Sequence, residues 1–237
     1  MNLRSEPVEP QKRRLHVALI IDESGSMQSC KKETINGINE QLQELRKPVE
    51  NQSILVTITK FSGPHNIRFL VEDKPIEEVE DIKDTDYFPN GSTAMLDAIA
   101  KTLNMLQTDV RGENDNYLVL IVSDGEENAS MQYGQWTGGY QSIATMITER
   151  KALGNWTFTY MGANQDLSVV SQNLNIDLGN MLQYSSTTLG TGATFTHNAY
   201  TLGQYREQLT RNVIDGSTST FYCSNGTPLD LTQPLKS

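Results

Sequence analysis

Short, unbroken apolar runs alternate along this chain with segments in which apolar residues recur every three or four positions. The runs "LHVALII" (15–21), "SILVTITKF" (53–61), "NYLVLIVS" (116–123) and "NWTFTYMG" (155–162) show little polar alternation. That pattern predicts strands covered on both faces, as in a parallel sheet. "NIRFLVED" follows the second run after a "SGPH" turn, close enough to be an antiparallel hairpin partner. Between the runs, Ile35, Ile38, Leu42 and Leu45 share one helical face, and Leu96, Ile99, Leu103 and Leu106 share another. "YQSIATMITERKAL" reads as a helix stopped at Gly154, "DLSVVSQNL" as a short helix and "NIDLGNMLQY" as a weaker strand.

This β–α alternation predicts an α/β fold: a doubly wound, mostly parallel central sheet with one antiparallel edge strand and helices on both faces. Residues 1–14 read as a flexible leader and 15–184 as the α/β domain. Residues 185–237 read as a C-terminal extension, helical in the second half of "TLGTGATFTHNAYTLGQYREQLTRN" and then irregular. Leu189, Phe195, Tyr200, Leu202, Tyr205 and Leu209 give that extension an apolar content suited to packing on the domain or, less favoured, on another chain.

Charge narrows the function classes. With 19 Lys+Arg against 29 Asp+Glu the net charge is −10, which argues against nucleic acid and against an anionic membrane surface. No run is long enough to span a bilayer, and the polar start "MNLRSEPVEPQKRR" lacks the apolar core of a signal peptide. Two cysteines, Cys30 and Cys223, form neither a disulfide framework nor a zinc pattern. A cytoplasmic location is the expectation.

Candidate chemistry gathers where strands end. Asp22, Ser24 and Ser26 directly follow the first run, Thr93 sits in "PNGSTAM" ahead of a helix, and Asp124 in "SDGEEN" follows the third buried run. In an open α/β sheet such loops meet beyond the carboxyl ends of the strands. Carboxylates and hydroxyls are hard oxygen donors, suited to Mg²⁺ or Mn²⁺, with Ca²⁺ less favoured, and poor for zinc. Neutral hydroxyls would leave such an ion under-neutralised and ready to accept an outside carboxylate. Each residue also has an ordinary use as a helix cap or turn former. Glu23, Glu126 and Glu127 are expected to be solvated loop acids; close to an ion they would weaken its pull on a partner's carboxylate.

This set resembles the von Willebrand factor A domain with its metal-ion-dependent adhesion site. The family's D-x-S-x-S loop is matched by Asp22, Ser24 and Ser26, its threonine loop by Thr93, and its T/S-D-G loop by Asp124. The resemblance covers about Leu15 to Tyr184, and "TFTYMGANQD" further resembles small stand-alone members from bacteria and their phages. It implies a non-enzymatic binding module whose metal accepts an Asp or Glu of a partner protein, in some members alongside ATPase machines. No nucleophile elbow, P-loop, H-E-x-x-H or dinucleotide fingerprint is present, and His16, His65 and His197 are scattered. One alternative is a magnesium-dependent phosphoryl-transfer enzyme resembling the haloacid dehalogenases, but Ser24 stands where such enzymes carry their second aspartate. Another is a scaffold that binds through its C-terminal extension and keeps only a vestigial metal site.

Overall fold

The fold is taken from a computed structural model, which describes residues 12–106, 114–163, 165–185, 187–211, 214, 217–224 and 227–228. Strands β1 (Arg13–Asp22), β2 (Gln52–Phe61), β3 (Ile67–Pro75), β4 (Asp115–Ser123), β5 (Trp156–Ala163) and β6 (Met181–Tyr184) form one sheet. Its order is β3-β2-β1-β4-β5-β6. β3 is antiparallel to β2, and every other neighbouring pair is parallel.

The buried runs earn their place by serving two cores at once. Along β1, Leu15, Val17, Leu19 and Ile21 face one helical layer, whereas Ala18 and Ile20 face the other. β4 repeats the split, with Leu118, Leu120 and Val122 on the first face and Val119 and Ile121 on the second. Helix α1 (Lys31–Arg46) covers the first face with the predicted stripe of Ile35, Ile38, Leu42 and Leu45. Helices α2 (Met95–Leu106), α3 (Gly139–Lys151) and α4 (Leu167–Leu174) cover the second. Each fully buried Leu or Ile contributes about 1.5–3 kcal/mol, so the apolar period is also the main energetic statement of the fold.

The C-terminal helix departs from the expectation. α5 spans Thr188–Thr210, so its glycine-bearing first half is helical as well. Low intrinsic propensity is overridden by a cap, Gly190 N donating to Thr187 Oγ1 at 3.2 Å, and by packing on α1. Gly37 makes that packing possible, because a β-carbon there would overlap the Phe195 ring. Gln41 Nε2 donates to Phe195 O at 2.9 Å, and Arg206 donates to Glu44 O and Lys47 O at the end of α1. Phe195, Leu202, Tyr205 and Leu209 thus join the core formed by β1 and α1, as do Phe221 and Tyr222 further on. The two short strands β7 (Cys223–Ser224) and β8 (Thr227–Pro228) pair with each other, and residues 1–11 of the expected leader and 229–237 of the expected tail lie outside the described residues.

Connections from β1 lead to β2 on one side, and the chain later returns to place β4 on the other. The point of divergence lies between β1 and β4, whose carboxyl ends carry Asp22 and Asp124. This is where an open α/β sheet forms its crevice.

Candidate metal centre

Asp22 ends β1 with its side chain fully buried. Its two oxygens accept from Ser24 N at 2.7 Å and from Ser123 Oγ at 2.6 Å. Among the described residues no Lys, Arg or His pairs with it. Burial is the main cause that pushes its carboxyl up to about 6, only partly offset by the bonds from Ser123 and Ser24. A buried carboxylate served by hydroxyls and an amide alone is a costly arrangement without a cation nearby.

The other predicted residues converge on it. Ser24 Oγ and Ser26 Oγ lie 3.0 Å apart, and Ser26 Oγ donates to Asp124 Oδ1 at 2.5 Å. Thr93 is placed by position rather than by a bond of its hydroxyl: a β-carbon on Gly125 would lie 3.3 Å from Thr93 Oγ1 and 3.7 Å from Ser26 Oγ. Glycine at 125 therefore keeps the wall of this cluster thin. All five candidates stand at one edge of the sheet, four of them buried and Ser26 open to solvent. Burial also raises the Asp124 carboxyl, against the bond from Ser26.

The loops carrying these side chains are locked together by backbone bonds. Gly25 N donates to Gly91 O at 3.1 Å, Ala94 N to Ser62 O at 2.7 Å, and Asn128 N to Thr93 O at 3.0 Å. Asn128 Oδ1 returns the contact by accepting from Thr93 N at 2.9 Å.

Two of the three neighbouring glutamates differ from the solvated loop acids expected of them. Glu23 is buried, paired with Lys60 Nζ at 2.9 Å and accepting from Phe88 N at 2.5 Å. The parallel register places Lys60 beside Ile21 and so within reach of Glu23, which neutralises that charge. Glu127 is buried too, and accepts from Leu96 N, Ala129 N, Ser130 N and Ser130 Oγ. It fastens the Asp124 loop to the start of α2. Glu126 is exposed, as expected.

Several supporting residues carried no motif signal. Tyr87 donates to Asp22 O, and Gln165 Nε2 donates to Gly125 O while its Oε1 accepts from the buried Tyr160. Asp97 accepts from Met131 N, Gln132 N and Tyr133 N, holding the loop that leads to α3. Only Ser123 could have been found, since it immediately precedes Asp124 in "SDG".

The donor set fits a hard divalent cation: two carboxylates and three hydroxyls, without a thiolate or imidazole. Among the described residues no group of three or more His, Cys, Asp or Glu could hold an ion, so the hydroxyls are indispensable to any such site.

A family model described as the von Willebrand factor type A domain matches residues 16–149. No curated protein matches the chain. Among solved structures, the pilus adhesin SpaC of Lactobacillus rhamnosus GG in its open conformation superposes with a TM-score of 0.61 at 10% identity, over 81% of this chain and 30% of that one. Proximal thread matrix protein 1 of the mussel byssus gives 0.56 at 11% identity, over 80% of this chain and 48% of that one. The SpRpn10 VWA domain gives 0.54 at 9% identity, over 80% and 96%. At these identities the likeness is one of fold. The chain spans about half the length of the mussel protein and under a third of the adhesin.

Proposed function

The chain belongs to the von Willebrand factor type A domain family, whose members commonly serve as protein-interaction modules, and from that premise we propose that it is a non-enzymatic, divalent-metal-dependent binding module. Asp22, Ser24, Ser26, Thr93 and Asp124 would hold Mg²⁺ or Mn²⁺, with Ca²⁺ less favoured. When bound, the ion supplies a Lewis-acidic position that accepts an Asp or Glu side chain of a partner protein.

The observation that carries this reading is the buried Asp22 carboxylate, met by hydroxyls and an amide in a cluster that continues through Ser24 and Ser26 to Asp124. Protein cations near the cluster are already spent, because Lys60 is held by Glu23. Ser26 leaves the cluster accessible from solvent. The phosphoryl-transfer alternative finds no support in these residues, since Ser24 cannot act as the general acid. The scaffold alternative loses the apolar residues it needs: Phe195, Leu202, Tyr205 and Leu209 are buried in the chain's own core.

No described helix is long and apolar enough to cross a membrane. The composition favours a cytoplasmic partner, an ATPase assembly being one kind that such modules serve. The test is calorimetry of metal-stripped protein with Mg²⁺, Mn²⁺ and Ca²⁺, beside the Asp22→Ala/Ser24→Ala double variant. Saturable binding in the parent alone supports the reading; equal binding in the variant overturns it.

A further inference from the structure

A cavity of about 310 Å³ opens beside the candidate metal centre, and Gly125 belongs to both. Its volume lies at the small end of ligand pockets, about 300–1,000 Å³, enough for one long side chain. Met95, Val169, Val170 and the Tyr140 ring give it apolar walls, while Glu126 and Asp166 supply charge. Among the described residues lining it, none is basic. Glu127 also lines it, but its oxygens are engaged by the bonds to residues 96, 129 and 130. Asp166 accepts from Ser168 N at the start of α4 and is otherwise exposed. Glu126 is exposed and makes no ion pair among the described residues.

The walls are not soft. Gln165 is tied between Tyr160 and Gly125, and the Asp124 loop is fastened to α2 by Glu127. An apolar slot with carboxylates at its mouth fits an aliphatic stem with a cationic head. It rejects an acidic side chain by repulsion and leaves Glu126 unpaired against a purely aliphatic one.

We propose that this cavity is a subsite for a basic side chain of the partner, arginine above lysine, carried on the same segment whose acidic residue reaches the metal; in that pairing the inference rests on the proposed function. Arginine is favoured because its planar guanidinium both stacks on an aromatic ring such as Tyr140 and pairs with carboxylates in a fork. The occupant is thus a protein segment bearing an acid and an arginine close together. A chain of net charge −10 gains attraction for such a segment that an all-acidic one would lack.

The experiment uses the full ¹⁵N-labelled chain and N-acetyl-arginine amide as probe, with N-acetyl-leucine amide and N-acetyl-glutamate amide as controls. Saturable shifts of the Gly125, Tyr140 and Val170 amides with the arginine probe alone are expected. Glu126→Gln should weaken that binding about threefold, the size of one exposed ion pair. A response as strong to the leucine probe, or unchanged affinity in Glu126→Gln, overturns the subsite. In a second arm, blocked peptides carrying Asp-Gly-Arg or Asp-Gly-Leu are titrated into Mg²⁺-loaded protein, where the arginine peptide should bind about tenfold tighter. Calorimetric Mg²⁺ binding with no arginine response overturns the subsite and leaves the metal reading standing. An arginine response in a chain that binds no ion supports the subsite and overturns the metal reading.

Discussion

The two edges of the sheet both bury acids, and they treat them in opposite ways. At the amino edge Asp115 is buried with His16 Nε2 at 3.7 Å and Arg14 at 3.8 Å, while His16 Nδ1 also meets Asp73 at 3.2 Å. His16 stacks on Tyr117, and Tyr117 on Trp156, which closes that edge with rings. At the carboxyl edge Asp22 is as deeply buried but meets only hydroxyls and an amide. Burying a charge without a counter-charge is expensive, and proteins normally provide one. One edge carries its own cations; the other is arranged for a cation from outside.

Substitution at the two edges should therefore give effects of opposite sign. The largest is expected from Asp115→Ala, which strands a buried histidine and should destabilise the fold by about 3 kcal/mol in chemical denaturation while leaving metal affinity intact. Asp22→Asn should do the reverse. A carboxyl raised from 3.8 to about 6 holds its proton more tightly in the folded chain, so stability is lost as pH rises between those values. The metal-free parent thus gives up about 3 kcal/mol by neutral pH. The asparagine variant should be more stable than the metal-free parent at pH 7, match it near pH 4, and bind no ion. Denaturation curves at both pH values check this, and a destabilised variant at pH 7 would break the contrast.

Smaller effects sharpen it. Gly37→Ala, far from either edge, should cost about 2 kcal/mol through overlap with Phe195, although alanine is the better helix former, and should leave ion binding unchanged. Thr93→Val removes one hydroxyl without changing shape; it should alter stability by about 1 kcal/mol or less and weaken Mg²⁺ binding about tenfold. Trp136→Ala should be silent in stability, within about 0.5 kcal/mol, because that side chain is 99% exposed.

Much of this arrangement was legible from residue order. The apolar runs became β1, β2, β4 and β5, and the five candidate side chains stand together because each follows a strand or precedes a helix at the same sheet edge. The first half of α5 was not legible, since Gly190 and Gly192 lower its propensity and the compensation comes from Gly37, more than 150 residues earlier. Nor were Glu23 and Glu127, because a loop acid looks the same in sequence whether it faces water or, as Glu23 does, a lysine brought alongside by strand register. Contacts between loops distant in the chain leave no local period to read.

The most direct test of the account is a Mg²⁺ titration of stripped protein by calorimetry at pH 7.5, run on the parent, Asp22→Asn and Asp115→Asn. The account predicts saturable binding in the parent and in Asp115→Asn, and none in Asp22→Asn. Binding that survives Asp22→Asn, or is lost only in Asp115→Asn, would contradict it, because the ion would then not be answering the uncompensated edge.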